Sequence, residues 1–93
     1  MREADDVISW DDQLQRLAFR VSHRGALVPC YMHGLDFLRA FTVLNLTETS
    51  ICAAYHAHQG EIQAAAIAKA DAGKFEAELG DARRYISVTA RDL

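Results

Sequence analysis

The residues with the widest chemical reach in this 93-residue chain are four histidines, two cysteines and three pairs of neighbouring carboxylates. His56 and His58 form an H-x-H pair, a spacing that can share a metal ion on a strand. The local pattern is helical, and two steps along a helix turn through about 200°, so the rings point to opposite sides. His58 falls on an apolar stripe, where a packed, hydrogen-bonded histidine is expected. Cys30 and Cys52 stand 22 positions apart with no CxxC pattern, which gives no redox or zinc motif. Cys30 as a nucleophile would need an accessible, electropositive setting, with His33 and Arg20 as the groups to supply it. A buried cysteine behaves instead as a small hydrophobe. The carboxylates Asp5-Asp6, Asp11-Asp12 and Glu76/Glu78 sit in flanks and loops, whereas acid–base catalysis needs a protected group of shifted pKa. GxSxG, Walker, GxGxxG and HExxH patterns are absent. No catalytic, metal or cofactor-binding residue is assigned, no cofactor is expected, and the chemistry points away from an enzyme.

The elements that would position these groups follow from periodicity. Residues 16–22 alternate, with Leu17, Phe19 and Val21 on one side and Arg16, Ala18, Arg20 and Ser22 on the other, as in a half-buried strand. Gly25 suits a turn, and residues 26–32 read as the returning strand. There Ala26, Val28, Cys30 and Met32 face one way and Leu27, Pro29 and Tyr31 the other. Pro29 donates nothing to a ladder, which predicts a local sheet edge. Residues 35–43 have helical spacing through Leu35, Leu38 and Phe41, with Phe37 and Leu44. Thr47 is a candidate N-cap for a second helix reaching Asp71–Ala72, with Gly60 inside as the mark of a kink or a close packing contact and Gly73 as its stop. Residues 74–82 read as a loop with a Gly80-Asp81 turn, and 84–89 as a final strand. Val7, Ile8 and Trp10 form an N-terminal strand or an arm, preceded by a frayed charged segment at 1–6.

The expected fold class is α+β: a small antiparallel sheet, formed by the N-terminal hairpin plus the C-terminal strand, with two helices packed on one face. The predicted inward set is Leu17, Phe19, Val21, Val28, Cys30, Ile86 and Val88, packed on Leu38, Phe41, Ile51, Tyr55 and Ile62. A composition of 51% hydrophobic and 25% charged residues fits one soluble domain over residues 1–93. No apolar run approaches a membrane span, and the start MREADD lacks the layout of a signal peptide. With two unpaired-looking cysteines, the expected compartment is the cytoplasm. Net charge is −3, with acids concentrated in residues 1–12 and a basic excess in 13–43.

Several of these features occur together in one known family. An early aromatic precedes Leu17-Ala18-Phe19-Arg20-Val21, then Gly25, Val28-x-Cys30 and a helix with Leu38. A later helix carries Tyr55-x-x-His58 and Ile62 and ends near Gly73. Ile86-Ser87-Val88-Thr89 leads to Asp92-Leu93. Over roughly residues 8–93 the chain resembles the small bacterial family known as domain of unknown function 1488. That family often has Arg directly after the aromatic-x-x-His pattern, where this chain has Gln59 and then Gly60. The resemblance implies an α+β fold and carries no activity.

The sheet face turned away from the core is the surface of most interest. Strand parity predicts that it carries Arg16, Arg20, Leu27, Tyr31, Arg83 and Tyr85, a mixture typical of interfaces. The first expectation is a non-enzymatic protein-interaction module that self-associates as a dimer or binds another protein. The alternatives are a weak single-stranded nucleic-acid binder using the same Arg/Tyr face, disfavoured by the net charge, and a thiol-dependent enzyme or factor using Cys30.

Overall fold

In the computed structural model, residues 8–77 and 84–93 are described. The alternation at the start of the chain does what period two requires. Strand β2 (Arg16–His23) and strand β3 (Ala26–His33) pair antiparallel from Arg16↔His33 to His23↔Ala26. Leu17, Phe19, Val21, Cys30 and Met32 are buried on one side. The pair closes through Arg24 and Gly25 at φ 52° and 80°. Two consecutive positive φ values make the two-residue turn whose twist matches a hairpin.

Strand β1 (Ser9–Asp11) adds to β2 antiparallel, with Trp10 opposite Leu17. The N-terminal apolar cluster therefore extends the sheet as a strand, although Val7 lies outside the described residues. Strand β5 (Arg84–Val88) lies on the other side of β3, and the two-residue β4 (Glu76–Ala77) completes the order β1-β2-β3-β5-β4. The expected antiparallel sheet is present in the main. Three of the four pairings are antiparallel, but β5 runs parallel to β3, through Cys30↔Ile86, Tyr31↔Ser87 and Met32↔Val88. A parallel neighbour needs a long crossover, and the helices supply it. β3 is an interior strand, yet the local edge expected at Pro29 is present. Its described pairing with β5 begins one residue later, at Cys30, so the missing N–H costs no ladder bond there.

Helix α1 covers Gly34–Ala40, shorter than the expected 35–43, and Phe41 is already extended. Its rotation also differs from the sequence expectation. Phe37 is buried, whereas Leu38 is 40% exposed and Leu35 more so. Gly34 sets this phase: a Cβ there would lie 2.7 Å from Leu46 Cδ2 and 3.0 Å from the Trp10 ring. The helix start is pressed against two side chains, and the face of residues 34, 37 and 41 turns inward with it.

The single long helix expected from Thr47 is two. Helix α2 spans Glu48–Ala57 and α3 spans Gln59–Asp71. His58, at φ −122° and ψ 22°, leaves the helical region between them. Its N–H is shared between the carbonyls of Ala54 and Tyr55, at 3.1 and 3.2 Å. Thr47 is the N-cap that the sequence announced, accepting from Ser50 N–H at 3.3 Å. At the far end Gly73 takes φ 74°, Gly73 N–H bonds Ala70 O and Lys74 N–H bonds Lys69 O. These two bonds form a Schellman stop.

All three helices contribute to one buried cluster with β2, β3 and β5. Phe37, Ile51, Tyr55, Ile62, Ala65, Ala66 and Ala70 meet Leu17, Phe19, Cys30, Met32, Ile86 and Val88. The Phe19 and Tyr55 rings stand 5.2 Å apart, and Tyr55 Oη accepts from Gln63 Nε2 at 3.1 Å. Each large side chain so enclosed contributes about 1.5–3 kcal/mol. After β5, a short 3₁₀ turn at Ala90–Asp92 is pinned to the body. Lys69 Nζ donates to Ser87 O at 2.6 Å and meets Asp92 at 3.2 Å. Ala90 N–H donates to Asp36 Oδ1 at 3.1 Å.

Candidate interaction surface

Side chains directly opposite one another in a ladder share a face, so the register assigns the outer face residue by residue. Burial of Leu17, Phe19 and Val21 turns Arg16, Ala18 and Arg20 outward. Pairing then turns Pro29 and Tyr31 outward on β3 and Ser87 on β5, with Tyr85 two residues before it. Among the described residues no side chain of this face is fully buried. Leu27, near the hairpin tip and opposite Ser22, is 43% exposed.

Three of the expected residues form one assembly. The Arg16 guanidinium lies 3.9 Å above the centre of the Tyr31 ring. Tyr31 in turn meets Tyr85 edge to face, centroids 5.1 Å apart. A cation over a ring and an edge-to-face pair are both favourable uses of the ring quadrupole. Beside this row lies a shallow depression of about 210 Å³, whose lining includes Ile8, Ala18, Arg20, Pro29 and Tyr31 and also Phe19 and Cys30. Ala18, directly opposite Tyr31, leaves the space. Of the remaining expected residues, Leu27 and Arg20 are on the same face, and Arg83 lies outside the described residues, as does the Gly80-Asp81 turn.

Two acids of this face were not placed on it by the sequence: Asp11 of β1, directly opposite Arg16, and Glu76. Glu76, read as a loop carboxylate, is exposed on β4 and pairs with Tyr85. A two-residue strand is too short to show alternation, so the sequence carried no signal for it.

The groups with catalytic potential are kept apart. Cys30 is fully buried on the inner side, while Arg20 and His33 belong to the outer side. Burial pushes the Cys30 thiol up to about 12, against a lowering hydrogen bond from the Val21 backbone. Cys52 is raised as well, by burial and then by the charge of Glu48. His58 stacks flat on Phe41, 3.9 Å between centroids, with Nδ1 3.7 Å from Glu61. His56 meets the Tyr55 ring edge to face, and His23 Nε2 bonds Asp71 at 2.7 Å. Among the described residues, no three His, Cys, Asp or Glu side chains gather as a metal site, and no helix is long and apolar enough to cross a membrane.

Comparison with known proteins adds the family and the fold. The family model described as "Protein of unknown function (DUF1488)" matches residues 4–80. A search of curated proteins gave no match. Among solved structures, the chain is similar to a protein of unknown function from the same family, from Shewanella loihica PV-4. The TM-score is 0.67 at 20% identity, over 88% of this chain and 85% of that one.

Proposed function

The chain belongs to the DUF1488 family of proteins of unknown function, and on that premise we propose that it is a protein-interaction module that self-associates through the outer face of its sheet. The observation that carries this reading is the row Arg16–Tyr31–Tyr85. Tyr and Arg are the side chains that most often dominate binding energy at interfaces. Here they are already packed on one another, so they lose little rotamer freedom when a partner arrives. Leu27 and the adjoining depression add apolar contact area on the same face. The two free cysteines fit a protein working in the reducing cytoplasm. The net charge of −3 weighs against nucleic acid as the partner. The enclosure of Cys30 weighs against thiol chemistry.

The test is the solution mass by size-exclusion chromatography with light scattering, over a wide range of protein concentration. The expected result is a species near twice 10.4 kDa that gives way to monomer on dilution. Tyr31→Glu and Tyr85→Glu shift it to monomer. A wild-type monomer at every concentration, or a dimer indifferent to both substitutions, overturns the reading.

A further inference from the structure

The chain divides at one residue into two contiguous units. Residues 9–57 carry β1, β2, β3, α1 and α2, and residues 59–93 carry α3, β4, β5 and the 3₁₀ turn. Each unit is tied together from within. In the first, β1, β2 and β3 form one ladder, and Gly34 N–H reaches Gln15 O at 2.8 Å. In the second, Lys69 of α3 holds Ser87 O and Asp92, and β4 pairs with β5. A different set of contacts joins the units to each other. It comprises the β3–β5 pairing, the burial of Ile62 and Ala66 with the hairpin side chains, and the bonds His23–Asp71 and Ala90–Asp36. The covalent connection between the units is His58 alone.

We infer that this connection is a hinge through which two copies of the chain exchange their C-terminal units, with α2 and α3 straightening into one helix. The local sequence favours the straight form. Residues 48–71 hold no proline and are rich in alanine, the best helix former. The bonds on both sides of the joint already keep the helical step: His58 N–H reaches Ala54 O and Ile62 N–H reaches His58 O, each at 3.1 Å. His58 itself stands at φ −122° and ψ 22°, about 60° from the helical value in each angle. Rotation at that one residue gives a helix about 36 Å long. So short a hinge invites exchange. Straightening carries the C-terminal unit away from its own hairpin and leaves both exposed surfaces complementary. A second copy, related by a two-fold, then re-forms the contacts between units: Cys30 faces the partner subunit's Ile86, and Tyr31 the partner subunit's Tyr85. The bent form keeps a contact of its own, the flat stack of the His58 ring on Phe41. The exchanged dimer carries two Arg16–Tyr31–Tyr85 rows, each built from both chains, and so presents the candidate surface twice. This inference goes beyond the sheet-face contact proposed above and does not depend on it.

The experiment uses a disulfide to record which chain each unit belongs to. Ile86→Cys sets a second thiol opposite Cys30 in the β3–β5 register, in a Cys52→Ala background. The protein is unfolded with reductant, refolded at low and at high concentration, oxidised, and run on a denaturing gel without reductant. The expected result is a disulfide-linked species of twice the chain mass that appears at high concentration. His58→Ala removes the ring stack and favours helix at the joint, and is expected to raise the share of that species several-fold. A Gly-Ser-Gly insertion after His58 lengthens the hinge and is expected to lower it. Where circular dichroism shows that Ile86→Cys does not fold, Tyr31→Cys with Ser87→Cys and Cys30→Ala gives the same record on the outer face. Linked chains of single mass at every concentration, in His58→Ala as well, overturn the inference. A double-mass species equally abundant in the chain that keeps Ile86 is random cross-linking and overturns it too. A native dimer by light scattering that yields only single-mass chains also removes the exchange, and leaves the sheet face to be judged by Tyr31→Glu and Tyr85→Glu.

Discussion

Tyr31 on β3 and Tyr85 on β5 meet edge to face at 5.1 Å, although 54 positions of sequence separate them. The contact ties the hairpin to the last strand on the side of the sheet away from the buried cluster. It should therefore be measurable as a coupling within one protomer. In a double-mutant cycle of Tyr31→Ala and Tyr85→Ala, followed by urea unfolding at concentrations where the protein is monomeric, the expected coupling is about 0.5–1.5 kcal/mol. Additive effects would show that the two rings do not support one another.

Of the described glycines, Gly34 is the one whose neighbours press closest. A methyl group there would meet Leu46 at 2.7 Å and the Trp10 ring at 3.0 Å. Gly34→Ala is expected to destabilise by about 1–3 kcal/mol, the usual cost of overpacking, and to change Trp10 fluorescence. Gly25→Ala has no neighbour within 4 Å, and its cost, about 1 kcal/mol, comes from holding alanine at φ 80°. An unchanged Trp10 signal in Gly34→Ala would mean that the helix start yields without disturbing its neighbours.

The two thiols should separate cleanly by reactivity. Cys52 is half-buried and Cys30 enclosed. With a thiol reagent near neutral pH, Cys52 is expected to react first and Cys30 only at the rate of unfolding. Because the folded Cys30 thiol is held at about 12 against an ordinary 9.0, the unfolded chain loses this proton first as pH rises. The stability it contributes is full below about pH 9 and declines from there towards 12. Replacement by alanine should flatten that alkaline limb, and fast labelling of folded Cys30 would contradict its enclosure.

Asp92 governs the acid side. Partial burial raises its carboxyl, but hydrogen bonds from the Thr89 backbone, the Lys69 ammonium and the Thr89 hydroxyl outweigh this and hold it below the ordinary 3.8. The carboxylate therefore favours the fold above that value, and the benefit is lost as pH falls through the lower folded value. Asp92→Asn is expected to cost about 1–3 kcal/mol at neutral pH and to reduce the loss of stability between pH 4 and 2. A thermal melt series over that range checks both. Equal acid sensitivity in wild type and variant would remove Asp92 from the account.

Much of the fold was legible because period two and turn chemistry are local. The hairpin, its inward set and the Thr47 and Gly73 signals each needed only a few residues. The phase of α1 was not legible. Leu35, Leu38 and Phe41 look like a buried stripe, and only the approach of Trp10 and Leu46 to Gly34 turns Phe37 inward instead. The break at His58 falls two residues before Gly60, which the sequence alone reads equally well as a kink or a packing contact. Strand direction is likewise silent in a sequence, which is why the parallel β3–β5 pair came from the structure. Of the candidate surface, parity placed Arg16, Arg20, Leu27, Tyr31 and Tyr85 on one side. The stacking of Arg16 on Tyr31, and the position of Glu76, depended on register between distant segments.

The parallel pairing of β3 with β5 also sets an order of events during synthesis. The β1–β3 meander joins near neighbours and can form as soon as residue 33 is available. Its inner side cannot be completed then, because Ile86 and Val88, both fully enclosed, arrive more than fifty residues later. Closing so long a loop is slow and is compensated only at the end. On the ribosome, the part of the apolar cluster that Ile86 and Val88 close therefore stays open until residues 84–88 have been made, and a chaperone has that interval in which to act.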